Sequence, residues 1–429
     1  MLCNHYKVLF ISMTDYLILC NYSIIVVASS KGDLLLLQEA LTGKYGTFTE
    51  DDLNNALSRA ANNSSVSCIK PLLEAGSDPD SEDTDGDTPL MLASANNNLR
   101  VVKALLDYGC DVNLVSNYGR TALHLAAWNG HIHAVHLLLE NKCDTEVQDQ
   151  YGDTPLMLAA LHNHPEILRI LIQHNCNVAV KNFDRDTALH YSARKGYIGI
   201  IKLLLEVGAD VNGENNWGYT PLTIAISEGR VDTAVFLISK GAYIGIACRA
   251  NRAPLHYAVR RGLKELVQLL LLHGANCDQK DSDHNTPIID AVYNNHKHIV
   301  KMLIQANCDL QCRGRAVISH QWKWSTLLEI ALHKGHYTIA RMLISAGCDR
   351  SCLKEWSQLP QTLANNQEMM LWLIEFGNMP LSLMAQSRRL IRGLYGYDAV
   401  CSISKLPLPK QIQRYVAFCD LEEFIEEDK

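Results

Sequence analysis

The sequence predicts an all-α fold: a solenoid of about ten or eleven stacked helix pairs, followed by a small module of three helices. Three observations predict it. A short motif recurs at a fixed interval: TPL at Thr88, TAL at Thr121, TPL at Thr154, TAL at Thr187, TPL at Thr220, APL at Ala253, TPI at Thr286 and TLL at Thr326. The interval is 33 residues at every step but the last, which is 40. Nine residues after each anchor stands Gly or Asn: Asn97, Gly130, Asn163, Gly196, Gly229, Gly262, Asn295 and Gly335. Twenty-one residues after it stand Gly109, Lys142, Asn175, Gly208, Gly241, Gly274, Asn307 and Gly347. Gly and Asn best tolerate the left-handed conformation that ends a helix, so each repeat holds two helices, each stopped by such a cap. Finally, the second helix of each pair carries apolar doublets, as in Val101-Val102 and Leu203-Leu204-Leu205. One pair cannot bury that surface alone, but a stack of pairs can.

From the N-terminus, residues 1–21 are mostly apolar. Asp15 and Asn21 interrupt the run, and a charge at mid-membrane costs about 2.5–3.5 kcal/mol, so a helix or leader is expected there rather than a membrane span. The array is expected over residues 22–378. Weaker repeats fit the same ruler near Ser23 and Asn55, and Leu363–Gly377 reads as a shortened last one; atypical end units are usual in such arrays. At the anchors, Thr can cap the first helix and the Pro after it is pre-set for the first turn.

Six of the 14 cysteines sit in one repeated context: Cys110, Cys143, Cys176, Cys277, Cys308 and Cys348, with Ala209 at the matching place of another repeat. A slot shared by Cys and Ala is a small buried slot, and free thiols suit a reducing compartment. Cys308–Cys312 and Cys348–Cys352 are spaced CxxxC, but they lie 40 residues apart, as do the local anchors, so repetition accounts for them better than zinc does. No metal and no cofactor is expected. A net charge of −7 argues against a nucleic-acid partner. The phosphate-loop, dinucleotide, zinc-protease and nucleophile-elbow signatures are missing, so the chain reads as non-enzymatic.

Large aromatics stand three or four residues before the anchors: Tyr118, Tyr151, Phe183, Trp217 and Trp322, with Trp324 just after. Aromatics are favoured interface anchors, and these six are the candidate target-binding residues; covering the adjacent tip is the other use open to them. The last interval holds an insertion near residues 313–324, with Arg313, Arg315 and Lys323 among its tryptophans, expected to be a loop for protein contact.

TALHLAAWNGH at Thr121–His131, with GCDVN at Gly109–Asn113, resembles the ankyrin repeat closely. For His124, His190 and His256 the resemblance implies structural hydrogen bonds to backbone, not catalysis.

After Gly377 the period ends. In residues 379–420, Leu383, Leu390, Ile391 and Leu394 fall on one helical face, then Ile403 leads to Leu406-Pro407-Leu408-Pro409, and Ile412, Tyr415 and Val416 form a last amphipathic helix. About 40 residues is too few for a solid core, so this module must lean on the array or a partner. It resembles the SOCS box, and the whole chain resembles the ankyrin repeat and SOCS box family. That resemblance implies a substrate adaptor of a cullin–RING ubiquitin ligase. Leu383, Ser387, Ile391 and Leu394 would dock on elongin C, paired with elongin B, and Leu406, Pro407, Leu408 and Pro409 would meet cullin-5, which brings a RING protein. The family's Leu-Cys pair is Gln386-Ser387 here, which weakens the elongin half of the match. Target ubiquitination and proteasomal degradation would follow, in the cytoplasm with the nucleus as a second compartment; a plain ankyrin scaffold without a ligase is the competing reading. Residues 421–429 form an acidic tail, read as solvated.

Overall fold

The computed structural model describes residues 24–318 and 321–355, together with Thr362, Asn366, Met369 and Leu373. The N-terminal apolar run, most of the shortened last repeat, the C-terminal module and the acidic tail lie outside the described residues. Ten helix pairs are described, from Ile24–Lys31 with Leu34–Glu39 to Leu327–Lys334 with Tyr337–Ala346, followed by the single turn Cys352–Glu355.

The caps fall where the period puts them. All eight first-helix stops are left-handed, with φ from 58° at Asn97 to 85° at Gly196, and so are all eight second stops, from 60° at Lys142 to 87° at Gly208. Lys142 therefore holds a conformation that costs an ordinary residue about 1–2 kcal/mol. Lys142→Gly is expected to raise stability by about 0.5–1 kcal/mol after the extra unfolded-state entropy of glycine is deducted, measured as a shift in the urea midpoint. The starts also agree. The hydroxyls of Thr88, Thr121, Thr154, Thr220 and Thr326 accept from the backbone N–H three residues on.

One start differs from the expectation. The helix near Asn55 begins six residues before the ruler predicts, at Glu50–Asn62, because Thr49 and Asp52 form a reciprocal capping box. Its stop still fits, since Ser64 is left-handed at 61°.

The chain divides into two compact units, one comprising Met1–Ser192 with Tyr197–Asp210, the other Ala193–Gly196 with Val211–Lys429. In the first unit, successive first helices stack on one another, as do successive second helices. The first helices are short and nearly all buried: Leu156, Met157, Leu158, Ala159 and Ala160 are almost wholly covered. The second helices bury one stripe, such as Ile167, Leu168, Ile170 and Leu171. Each such fully buried Leu or Ile contributes about 1.5–3 kcal/mol.

Polar ties repeat with the same period. The side chains of Asn98, His131 and His164 donate to the last carbonyls of the preceding first helix, at Ala61 (2.7 Å), Ala95 (2.9 Å) and Trp128 (3.0 Å). In the loops, Asp80, Asn113 and Glu146 accept from the backbone N–H of Asp111, Asp144 and Asn177. Helix-end carbonyls and loop amides would otherwise lack partners, so these side chains join one repeat to the next.

The second unit is built in the same way from Pro221 to Glu355, with Arg230, His296 and His336 donating to Arg194, Arg260 and Tyr293. It differs by one addition. The insertion is an antiparallel β-hairpin, β1 (Arg313–Ile318) with β2 (Gln321–Thr326), pairing Arg315 with Trp324 and Val317 with Trp322. The expected loop is thus an ordered ribbon, the one sheet among described residues that are otherwise helical.

The cysteine slot is buried as expected at Cys110, Cys143, Cys176, Cys308 and Cys348; Cys277 proves to stand two residues past the slot, which Ala275 holds in that repeat, and is half-buried, and all six are free thiols. Burial pushes the thiols of Cys110, Cys143 and Cys277 up to about 12, which keeps them protonated and inert. No group of residues that could hold a metal ion occurs among the described residues.

Candidate functional site

Between successive pairs the chain makes a tight tip. In the first unit Gly86, Gly119, Gly152 and Arg185 turn these tips in left-handed conformation. The tips are tied by single backbone bonds: Asn117 N–H to Asp85 O (3.1 Å), Gln150 N–H to Tyr118 O (2.9 Å) and Phe183 N–H to Tyr151 O (3.1 Å). Each bond holds one tip close on the next, so each ring is carried by fixed backbone.

Tyr118, Tyr151 and Phe183 all face solvent, from 43 % exposed at Tyr118 to 67 % at Phe183. The guanidinium of Arg120 lies 5.9 Å from the ring centre of Tyr118. Arg120 also lies 4.7 Å from the ring centre of Trp128 and 3.6 Å from a buried oxygen of Asp149. Behind the tips, Asp153 accepts from Asn182 (2.9 Å) and Tyr191 (2.9 Å), which fixes the base of the Phe183 tip.

The three histidines are structural, as the resemblance implied. His124 Nδ1 accepts from Thr121 N–H (3.1 Å), so the ring proton is on Nε2, which donates to Asp153 O (3.1 Å). His256 does the same with Ala253 N–H (3.2 Å) and Asn285 O (3.3 Å), and His190 Nδ1 accepts from Thr187 N–H (3.1 Å). Burial holds the imidazole of His124 down at about 4 and lowers that of His256.

In the second unit Trp217 is half exposed on a tip tied by Arg249 N–H to its carbonyl (2.9 Å). Trp322 and Trp324 stand on the same face of β2, 63 % and 57 % exposed. Across the ribbon, the Arg315 guanidinium lies 5.4 Å from the Trp322 ring centre, and His284 packs 5.6 Å from Trp324.

Asn285 docks the ribbon. Its amide accepts from Arg315 N–H (2.7 Å) and donates to Arg315 O (3.2 Å), so a side chain stands where a neighbouring strand would. Gly314 makes this possible: a Cβ there would run into Ile289 and Asn285. Arg252 reaches Asp281 (2.9 Å) and Asp283 (3.4 Å), and Arg315 reaches Asp283 (3.8 Å).

The ribbon walls a cleft of about 240 Å³, whose lining includes Arg260, Asp290, Tyr293, Arg315, Val317 and Trp322. Trp322 and Arg315 were expected at a contact surface; Arg260, Asn285 and Asp290 were not. A signal for Asp290 exists in the sequence. Four residues after each anchor stand Leu92, Leu125, Leu158, Tyr191, Ile224, Tyr257, Asp290 and Ile330, so only one repeat puts a charge in that slot.

The predicted adaptor-binding residues, Leu383, Ser387, Ile391 and Leu394, and the Leu406-Pro407-Leu408-Pro409 turn lie outside the described residues. Family comparison reaches both modules. A model of three ankyrin repeats matches in overlapping windows from residue 24 to residue 314, and the SOCS box model matches residues 379–417. The chain belongs to the ankyrin repeat and SOCS box family. Among solved structures, this ankyrin–SOCS box protein is similar to the human ASB11 ankyrin repeat domain: 26 % identity, 48 % of this chain and 91 % of that one covered, TM-score 0.44. No curated protein sequence matches it. No described helix of this ankyrin–SOCS box protein is long and apolar enough to cross a membrane.

Proposed function

We propose that this chain is a substrate adaptor of a cullin–RING ubiquitin ligase. The supporting observation is the pairing of two modules in one chain, an ankyrin array matched over 24–314 and a SOCS box matched over 379–417. The SOCS box docks elongin C, with elongin B, through Leu383, Ser387, Ile391 and Leu394, and meets cullin-5 through Leu406, Pro407, Leu408 and Pro409. The array holds the target protein, with Tyr118, Tyr151, Phe183, Trp217, Trp322 and Trp324 as contacts. Ubiquitin transfer is then a matter of proximity: a RING partner of the cullin presents the loaded conjugating enzyme, and the adaptor raises the local concentration of target lysines beside it. Degradation of the target is the outcome.

Ser387 stands where the family has Cys. Burying its hydroxyl without a partner costs about 1–3 kcal/mol, so elongin capture is expected to be weaker than in the family and to strengthen by about tenfold in Ser387→Cys. The deciding measurement is recovery of elongin C by the full chain. Wild type should capture it, and Leu383→Pro, which breaks the docking helix, should not. Equal recovery by both, or none by either, would leave the chain as a plain ankyrin scaffold.

A further inference from the structure

The cleft behind the hairpin carries more than a general contact surface. Oδ2 of Asp290 is buried with no hydrogen-bond partner among the described residues. In the other seven repeats compared above, the same slot is filled by Leu, Ile or Tyr. An unpartnered carboxylate in a slot that takes leucine weakens the fold, since buried polar groups are normally paired. Its place in the lining of the cleft points to a donor supplied by whatever fills the cleft.

The lining narrows what that donor is. Arg260 is exposed and makes no hydrogen bond or salt bridge through its side chain among the described residues. It exerts the strongest favourable charge on Asp290, while burial pushes that carboxyl up to about 6. An incoming ammonium or guanidinium would lie against Arg252, Arg260 and Arg315. An incoming carboxylate or phosphate would lie against Asp283 and Asp290. Desolvating either beside a like charge is costly. A primary amide is neutral and offers both complements at once, two N–H donors and a carbonyl acceptor. Trp322, Tyr293 and Val317 supply an apolar wall for the methylenes that carry it.

We propose that this cleft takes a glutamine side chain of a bound polypeptide, its amide nitrogen donating to Asp290 and its carbonyl accepting from Arg260. The proposal rests on the reading of the array as the target-binding module, and it assigns a specificity determinant to the hairpin repeat.

The test uses the full chain, ¹⁵N-labelled at tryptophan, with the Trp322 indole resonance assigned through Trp322→Phe. The probes are the N-acetyl methylamides of glutamine, lysine, glutamate and norleucine. The glutamine probe should give a saturable shift, and the other three should bind at least about tenfold more weakly. Asp290→Leu should melt no lower than wild type yet bind the glutamine probe at least about tenfold more weakly. Arg260→Met, at an exposed position, should lose binding similarly and keeps the test valid should Asp290→Leu not fold. Equal response to all four probes, response to none, or unchanged glutamine binding in both variants overturns the proposal and leaves Asp290 merely hydrated. Elongin C capture from the same preparation reads the adaptor role separately: failure of the glutamine probe with capture retained removes the cleft assignment alone.

Discussion

Lowering the pH from 7 to 4 is expected to remove about 3 kcal/mol of stability through His124 alone. The ring is buried between its own helix cap and the carbonyl of Asp153, and burial sets its pKa at about 4, below the unfolded value of 6.5. The unfolded chain therefore takes up a proton first. The stabilisation is complete above pH 6.5 and is lost as pH falls from there through 4. Protonation would also put an N–H on Nδ1, facing the Thr121 N–H that it now accepts. The measurement is urea unfolding of wild type and His124→Gln across this range. Wild type should lead at pH 7, and the gap should close by about 3 kcal/mol at pH 4. A gap that is constant with pH would mean that the ring titrates alike in the folded and the unfolded chain, so that burial does not hold its pKa down. His256 should act in the same direction in the second unit.

Gly152→Val should cost about 3 kcal/mol or more. Gly152 sits at φ 80°, where a β-branched residue is strained by about 1–2 kcal/mol. A Cβ there would also stand 2.7 Å from Phe183 N and 2.9 Å from Phe183 Cδ1, and relieving such overpacking costs about 1–3 kcal/mol more. The hydrogen bond from Phe183 to Tyr151 O would be the first to give way. Thermal melting and amide exchange at Phe183 check this together. A loss below about 1 kcal/mol with Phe183 still protected would show that the tip can relax, and that close stacking of the tips is not what fixes the aromatic rings.

These two predictions rest on features of different legibility. The helix stops were readable because a left-handed residue has a narrow chemical signature, and a 33-residue period samples it repeatedly. Even Lys142, which breaks the signature, is left-handed, because the surrounding repeat overrules the local preference. The tip glycines follow the same logic less legibly, because Arg185 and His284 occupy that slot in two repeats and dilute the pattern. The capping box at Thr49 was legible too, as T-E-D-D, but a ruler anchored at Asn55 looked past it.

The hairpin was harder. Arg313–Ile318 and Gln321–Thr326 alternate as strands do, yet Ser319-His320 between them lacks the Gly or Asn that marks a tight turn. What orders the ribbon is Asn285, about thirty residues upstream, and no local pattern announces that contact.

The repeat, its two helices and caps, the buried cysteine slot, the structural histidines and the family can all be read from the residues alone. All of these depend on residues a few positions apart, multiplied by repetition. That the insertion is a ribbon, that Asn285 holds it, and that Arg260, Asp290 and Trp322 line one cleft emerges from the packed chain alone. Those residues come from three successive repeats, at unlike positions of the period, and meet because stacking sets neighbouring repeats side by side. A period shows which positions are equivalent; it takes the packed chain to show which unlike positions meet.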